Sequence, residues 1–337
     1  MYKEGGTVKK KKEIVLLVVL LIILILMILV FAMYKKIPKK IENESKTKEQ
    51  ILEEQGVNVR ATSSFVDDAN SLLEKGYSAS TINDIYDNLS ERNISILLTM
   101  PYTDITEFMS IPNLSLDKLN RYKAYMAKEN ISASDAVTRV NLNLDEEFYK
   151  TVNDIKDPSS ILSLVNKSHA LKSDYVPSDL VAIPSFPNLL LRQVAIDDFE
   201  SLLAAAKLDN VYLIPYSTYR SYDYQKGLYE KYLKEDSQEV VDTYSARPGH
   251  SEHQTGLAID IRSSSHWYSL TDNDYDWMLN NSYKYGFIVR YPKDNSQITG
   301  YKEEPWHIRY LGKDIATKVH DKNITYDEYV DLYLTEY

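Results

Sequence analysis

Ser251-Glu-His-Gln-Thr-Gly-Leu-Ala-Ile-Asp260, answered further along the chain by Glu304-Pro-Trp-His307, gathers two His, one Asp and one additional Glu into two short stretches. These are the residue types of a hydrolytic zinc centre. There, three N and O ligands leave a fourth position open, and a carboxylate outside the ligand set takes the proton. His253, Asp260 and His307 fit the ligand role and Glu304 that of the base. From Thr255 to Ile261 the chain alternates, with Leu257, Ile259 and Ile261 on one side and Gly256, Ala258 and Asp260 on the other. That period predicts a half-buried strand with Asp260 facing away from the core. The small residues at 256 and 258 leave room beside its carboxylate. Pro305 holds Glu304 extended, which argues against a helical Glu-to-His arrangement. A polyproline-like turn aims Glu304 and His307 the same way, and a bulged strand does so equally well.

The two stretches sit within longer motifs. Arg247-Pro-Gly-His-Ser-Glu-His253 through Asp260, Tyr219-Arg-Ser-Tyr-Asp-Tyr-Gln225 and Thr299-Gly-Tyr-Lys-Glu-Glu-Pro-Trp-His307 resemble the VanY-type D-alanyl-D-alanine carboxypeptidases. Leu164-Val-Asn-Lys167 and Tyr175-Val-Pro-Ser-Asp-Leu180 resemble the opening segment of the same domain. Spaced motifs agreeing in order across residues 160–320 make the resemblance specific, where any one alone would be weak. It implies a zinc peptidase with one Zn2+ per chain that removes a terminal D-alanine from peptidoglycan stem peptides. By the same resemblance the metal ligands fall on His253, Asp260 and His307, and the general base on Glu304. Arg220, Gln225 and Ser251 fall on the substrate side with Trp306, and Arg220 is open to either the developing oxyanion or the terminal carboxylate, or both. The implied fold is an α+β domain whose antiparallel sheet holds the metal. The residues themselves support a helix around Tyr222 to Leu233 and an apolar strand-like run from Gly286 to Tyr291. The ligand set does not separate D,D-cleavage of a pentapeptide from L,D-cleavage of a tetrapeptide. A zinc-stabilised wall-binding module without turnover is a third reading, against which the presence of Glu304 and Arg220 speaks.

Upstream, Ile14 to Met33 is an unbroken apolar, uncharged run of 20 residues. At about 1.5 Å per residue it matches the roughly 30 Å of bilayer hydrocarbon, and Met33-Tyr-Lys-Lys is no cleavage site. An uncleaved membrane anchor is expected at 14–34, behind a cytoplasmic tail at 1–13. Lysines flank both ends and do not orient it. The resemblance does, since a peptidoglycan enzyme carries its large C-terminal part on the cell-wall side of a bacterial membrane. Nine Lys and two Glu give residues 1–40 a charge of +7, so against the total of −10 the remainder carries −17. A surface that acidic argues against nucleic acid as a partner. The chain has no Cys, which excludes thiol catalysis and thiolate zinc sites.

The expected organisation continues with a stalk at 35–63, a mainly helical extracellular region at 64–158, the peptidase domain at 159–325 and a tail at 326–337. In the helical region Ser80 and Ser115 are candidate N-caps, and Ser132 with Asp135 resembles a capping box. A short echo, Tyr77-Ser-Ala-Ser80 against Ile131-Ser-Ala-Ser134, suggests a repeated helical unit. His250 lies outside the ligand pattern and is expected to line the cleft or a loop. His169, His266 and His320 lack a partner at diagnostic spacing. Two Ser-x-x-Lys matches, at Ser45 and Ser115, are not followed by Ser-Asp-Asn or Lys-Thr-Gly and do not support a serine mechanism.

Overall fold

Leu257, Ile259 and Ile261 are fully buried in one apolar cluster with Phe199, Leu202, Phe287 and Ile308. The alternation seen in the sequence therefore marks the core face of a sheet. The computed structural model describes residues 21–32, 47–60, 64–266 and 269–334. They divide into two compact units, Met1–Met109 and Ser110–Tyr337.

The first unit is helical: α1 over residues 21–32, then α2 (Lys48–Glu54), α3 (Phe65–Lys75), α4 (Ala79–Asn88) and α5 (Glu91–Thr99). The side chains of α1 are all exposed. Among the described residues no helix is long and apolar enough to cross a membrane, and the rest of the expected span, 14–20 and 33–34, lies outside them, as does the expected tail 1–13. Part of the expected stalk is ordered structure. Thr47 and Gln50 form a capping box that starts α2, and Leu52 on that helix is fully buried.

The second unit opens with a hairpin of α6 (Leu119–Glu129) and α7 (Ala133–Asn141), so the expected helical region 64–158 is shared between the two units. The tetrapeptide echo has a local cause. Gly76 and Asn130 close α3 and α6 in the left-handed conformation, and two residues later Ser78 and Ser132 cap α4 and α7. Ser80, expected as the cap, lies inside α4; it is the Oγ of Ser78 that accepts from the backbone N–H of Thr81. Ser115 precedes a short 3-10 turn without a side-chain cap.

Two minor strand pairs follow: β1 (Asn153–Asp154) with β2 (His169–Ala170), parallel, and β3 (Leu180–Ile183) with β4 (Phe186–Arg192), antiparallel. The main sheet comprises β5 (Leu213–Ser217), β6 (Ala258–Ser263), β7 (Phe287–Tyr291) and β8 (Glu304–Tyr310). Its order is β5-β6-β8-β7, antiparallel throughout. The expected antiparallel α+β architecture is thus present. Helix α8 (Gln193–Leu208) packs Phe199 and Leu202 on one face of the sheet. Helices α9 (Tyr222–Tyr232), α10 (Gln238–Val241), α11 (Asp272–Asn281), α12 (Ser296–Thr299) and α13 (Lys313–Lys322) fill the connections. The last helix, α14 (Tyr326–Tyr333), corrects the expected tail at 326–337 as far as residue 334. A Thr325–Glu328 capping box starts it, and Tyr326, Tyr329 and Val330 recur at helical spacing to bury one face beside Ile288 of β7.

The expected strand at 255–261 begins later. Glu252–Thr255 is a 3-10 turn that ends at Gly256 with φ of 66°, and β6 starts only at Ala258. Gly256 is small for a backbone reason. A Cβ there would lie 2.7 Å from Cδ2 of Leu180, on a residue that must adopt the left-handed conformation. This turn swings His253 back over the strand that carries Asp260.

Candidate active site

Register places the two motif clusters together. On the central strands Asp260 of β6 lies directly opposite His307 of β8, and on its other side opposite Ser217 of β5. The next row, Ile259 with Ile308, faces the core. A one-residue slip would send all three polar side chains to the wrong face. Glu304 and His307 are an odd number of positions apart and would face opposite ways in a regular strand. The β7–β8 pairing shifts between Val289 and Tyr291, and this irregularity brings Glu304 Oε2 to 3.6 Å from His307 Nδ1. Of the two arrangements open to Glu304-Pro-Trp-His307, the bulged strand is the one adopted.

Hydrogen bonding decides which imidazole nitrogens carry free lone pairs. His253 Nδ1 lies 2.6 Å from the Thr218 carbonyl oxygen and so must donate to it, which leaves Nε2 as the acceptor nitrogen. His307 Nε2 lies 3.2 Å from Glu252 Oε2, which turns Nδ1 toward Asp260. Asp260 Oδ1 sits 3.2 Å from His253 Nε2 and 3.4 Å from His307 Nδ1, yet it takes no well-directed hydrogen bond from either. One ligand atom from each of the three side chains falls within 4.8 Å of the others, and all three residues are buried. Two nitrogens and one carboxylate oxygen converge, the oxygen without a hydrogen-bond partner among the described residues, and this donor set fits a zinc ion. Electrostatics agree. Burial and then the Arg220 charge lower His253 to about 4, so its ring is neutral. Burial also works to lower His307, but the Asp260 and Glu252 carboxylates outweigh it and raise the ring to about 9. A dication held by these three residues would displace that proton.

The remaining predicted residues line the same cleft, whose volume is about 490 Å³. Glu304 stands on its wall, and burial raises its carboxyl to about 7. Arg220 pairs with Asp260 Oδ2 through NH2, which also lies 2.8 Å from His253 Nε2. Its fork is held from behind by Ser217 Oγ at 2.9 Å and Gln225 Oε1 at 3.2 Å. The Gln225 amide donates to the Ala246 carbonyl, so this side chain orients Arg220 within the wall. Ser251, itself buried, and Trp306 line the same cleft. His250 is not a cleft residue. It is buried, its Nδ1 meets the Asn166 carbonyl at 2.7 Å, and Tyr149 packs edge-on against its ring.

Glu252, inside the first motif, was not singled out from the sequence. Its carboxylate is fully buried and contacts His307, Arg290 and Arg309. Burial alone would raise its pKa, but the two guanidiniums outweigh that and hold it well below the usual carboxylate range. The signal was available. Arg290 interrupts the apolar run of β7 and Arg309 sits between Ile308 and Tyr310 in β8, and a buried cation requires a buried anion.

Residues 188–313 match the family profile described as VanY, D-alanyl-D-alanine carboxypeptidase. YodJ of Bacillus subtilis strain 168 is 42% identical over 190 residues, covering 52% of this chain and 69% of YodJ. A D-alanyl-D-alanine carboxypeptidase of Enterococcus faecalis strain V583 is 33% identical over 58% of this chain and 75% of its own length. The solved structure of the LdcB LD-carboxypeptidase superposes with a TM-score of 0.50 at 38% identity, covering 55% of this chain and 94% of LdcB. Identity of this extent, over most of each relative's length, makes the chain a member of the VanY carboxypeptidase family, whose enzymes are zinc-dependent hydrolases.

Proposed function

We propose that this VanY-family carboxypeptidase is a D,D-carboxypeptidase, held at the membrane by its N-terminal apolar segment and acting on the cell-wall side, that removes the terminal D-alanine of peptidoglycan stem pentapeptides. The observation that carries the reading is the convergence of one ligand atom each from His253, Asp260 and His307 beside Glu304 in one cleft. Those three residues would hold zinc. When bound, the ion supplies the Lewis acidity that makes water a nucleophile at neutral pH. Glu304 accepts the proton of the attacking water and passes it to the leaving amine. Arg220, locked by Ser217 and Gln225, offers its guanidinium to the negative charge of the substrate. Ser251 and Trp306, in the cleft lining, contact the peptide.

The likeness to an LD-carboxypeptidase favours a second reading, L,D-cleavage of tetrapeptide stems. Muropeptides ending in pentapeptide and in tetrapeptide, incubated with the protein with and without a chelator and weighed by mass spectrometry, separate the two. Chelator-sensitive loss of one alanine from the pentapeptide is expected, and loss from the tetrapeptide alone would replace D,D with L,D. The exposed apolar face of α1 supports the anchor. The full chain is expected to stay in the membrane pellet through an alkaline carbonate wash, and its release would reject the anchor.

A further inference from the structure

We propose that Glu252 is a positioning residue for the metal centre. Its Oε2 accepts a hydrogen bond from the Nε2–H of His307 and so fixes the ring with Nδ1 in the ligand position, while a buried ion network reaching α14 holds the carboxylate still. The proposal rests on reading His307 as a metal ligand.

An imidazole binds a metal through one nitrogen, and the partner of the other nitrogen sets both tautomer and ring orientation. The two histidines here solve this differently. His253 donates a hydrogen bond from Nδ1–H to a backbone carbonyl, whereas His307 faces a carboxylate, which also makes the ligand nitrogen more basic. The two oxygens of Glu252 divide the work. Oε1 receives Arg290 Nε at 2.8 Å and Arg309 NH1 at 3.0 Å, which leaves Oε2 to His307 alone.

Both arginines are fixed in turn. Arg290 NH1 lies 2.7 Å from Asp327 Oδ2 on α14, and the other Asp327 oxygen accepts from Asn166 Nδ2 at 2.8 Å. Arg309 NH2 donates to the carbonyls of Ile161 and Ser163. Segment 161–166 and α14 both lie outside the residues that match the family profile, yet they brace one ligand of the site.

The test is zinc affinity measured by competition with a chromophoric chelator, using the full chain. Glu252→Gln keeps the size of the side chain and removes its charge. Glu252→Asp keeps the charge between the arginines but withdraws the second oxygen from His307. Each is expected to weaken zinc binding about 10–100-fold, and affinity within twofold of wild type for both overturns the proposal. A measurement without variants guards against failed folding. In the 15N-histidine spectrum of the zinc-loaded wild type, one ligand histidine is expected to carry its proton on Nδ1 and the other on Nε2. Two Nδ1-protonated ligands overturn the proposal. His307→Ala separates the layers: if it keeps wild-type affinity the ligand assignment itself fails, and if it alone loses zinc only the role of Glu252 fails.

Discussion

Glu304→Gln is expected to lower kcat/KM on a D-alanine-terminated muropeptide by about 10²–10⁴-fold while one zinc per chain remains bound. The change removes only the proton acceptor. Glu304 is close to His307 at 3.6 Å, but it is His253, Asp260 and His307 that form the converging donor set. Zinc content by atomic absorption and turnover measured on the same sample check both halves, and full activity with zinc retained would show that another group takes the proton. The pH profile carries a second signature. The ionised form of Glu304 is the active one, so kcat/KM falls as pH drops through its pKa. Burial raises that pKa to about 7, and a bound dication in the same pocket pulls it down, which places the acid limb below neutrality. Whatever activity Glu304→Gln retains is expected to lack this limb.

Arg290→Met is expected to destabilise the second unit by about 3–5 kcal/mol, the range for breaking a buried ion pair from one side. In a unit of this size that lowers the melting temperature by roughly 6–20 °C. The methionine fills much the same space, so lost packing is not the main cost. The cost comes from the anions left behind. Asp327 keeps only Asn166, and Glu252 must share Arg309 with the demands of His307. Adding Asp327→Asn removes one stranded charge, and the double variant is expected to recover at least about 1 kcal/mol over the sum of the singles. Calorimetry of the four proteins gives the coupling, and strict additivity would show that the two side chains do not act as a pair.

What could be read from the sequence followed from local period and residue chemistry. Leu257, Ile259 and Ile261 announced the core face of β6, Tyr222 onward announced α9, and the two motifs supplied the three side chains that converge as a candidate metal site, with Glu304 beside them. The misplaced start of β6 came from reading Gly256 as a small residue on a strand, when its left-handed backbone ends a turn. The expected tail at 326–337 was misjudged because acidic residues interleave with the tyrosines, and helical spacing outweighed that polarity once Ile288 offered an apolar partner. Glu252 was passed over for a different reason. Its partners lie on β7 and β8, tens of residues away, and no local pattern around 252 reveals that two strands each lay an arginine beside it.

The interior quartet of Glu252, Arg290, Arg309 and Asp327 also limits how such a sequence can drift. Swapping any one member for an apolar residue strands a charge, whereas exchanging several together can be close to neutral. The four positions therefore behave as one heritable unit, and lineages that abandon the glutamate are expected to have lost an arginine in the same episode. The C-terminal helix, through Asp327, is expected to vary together with the sheet as part of that unit.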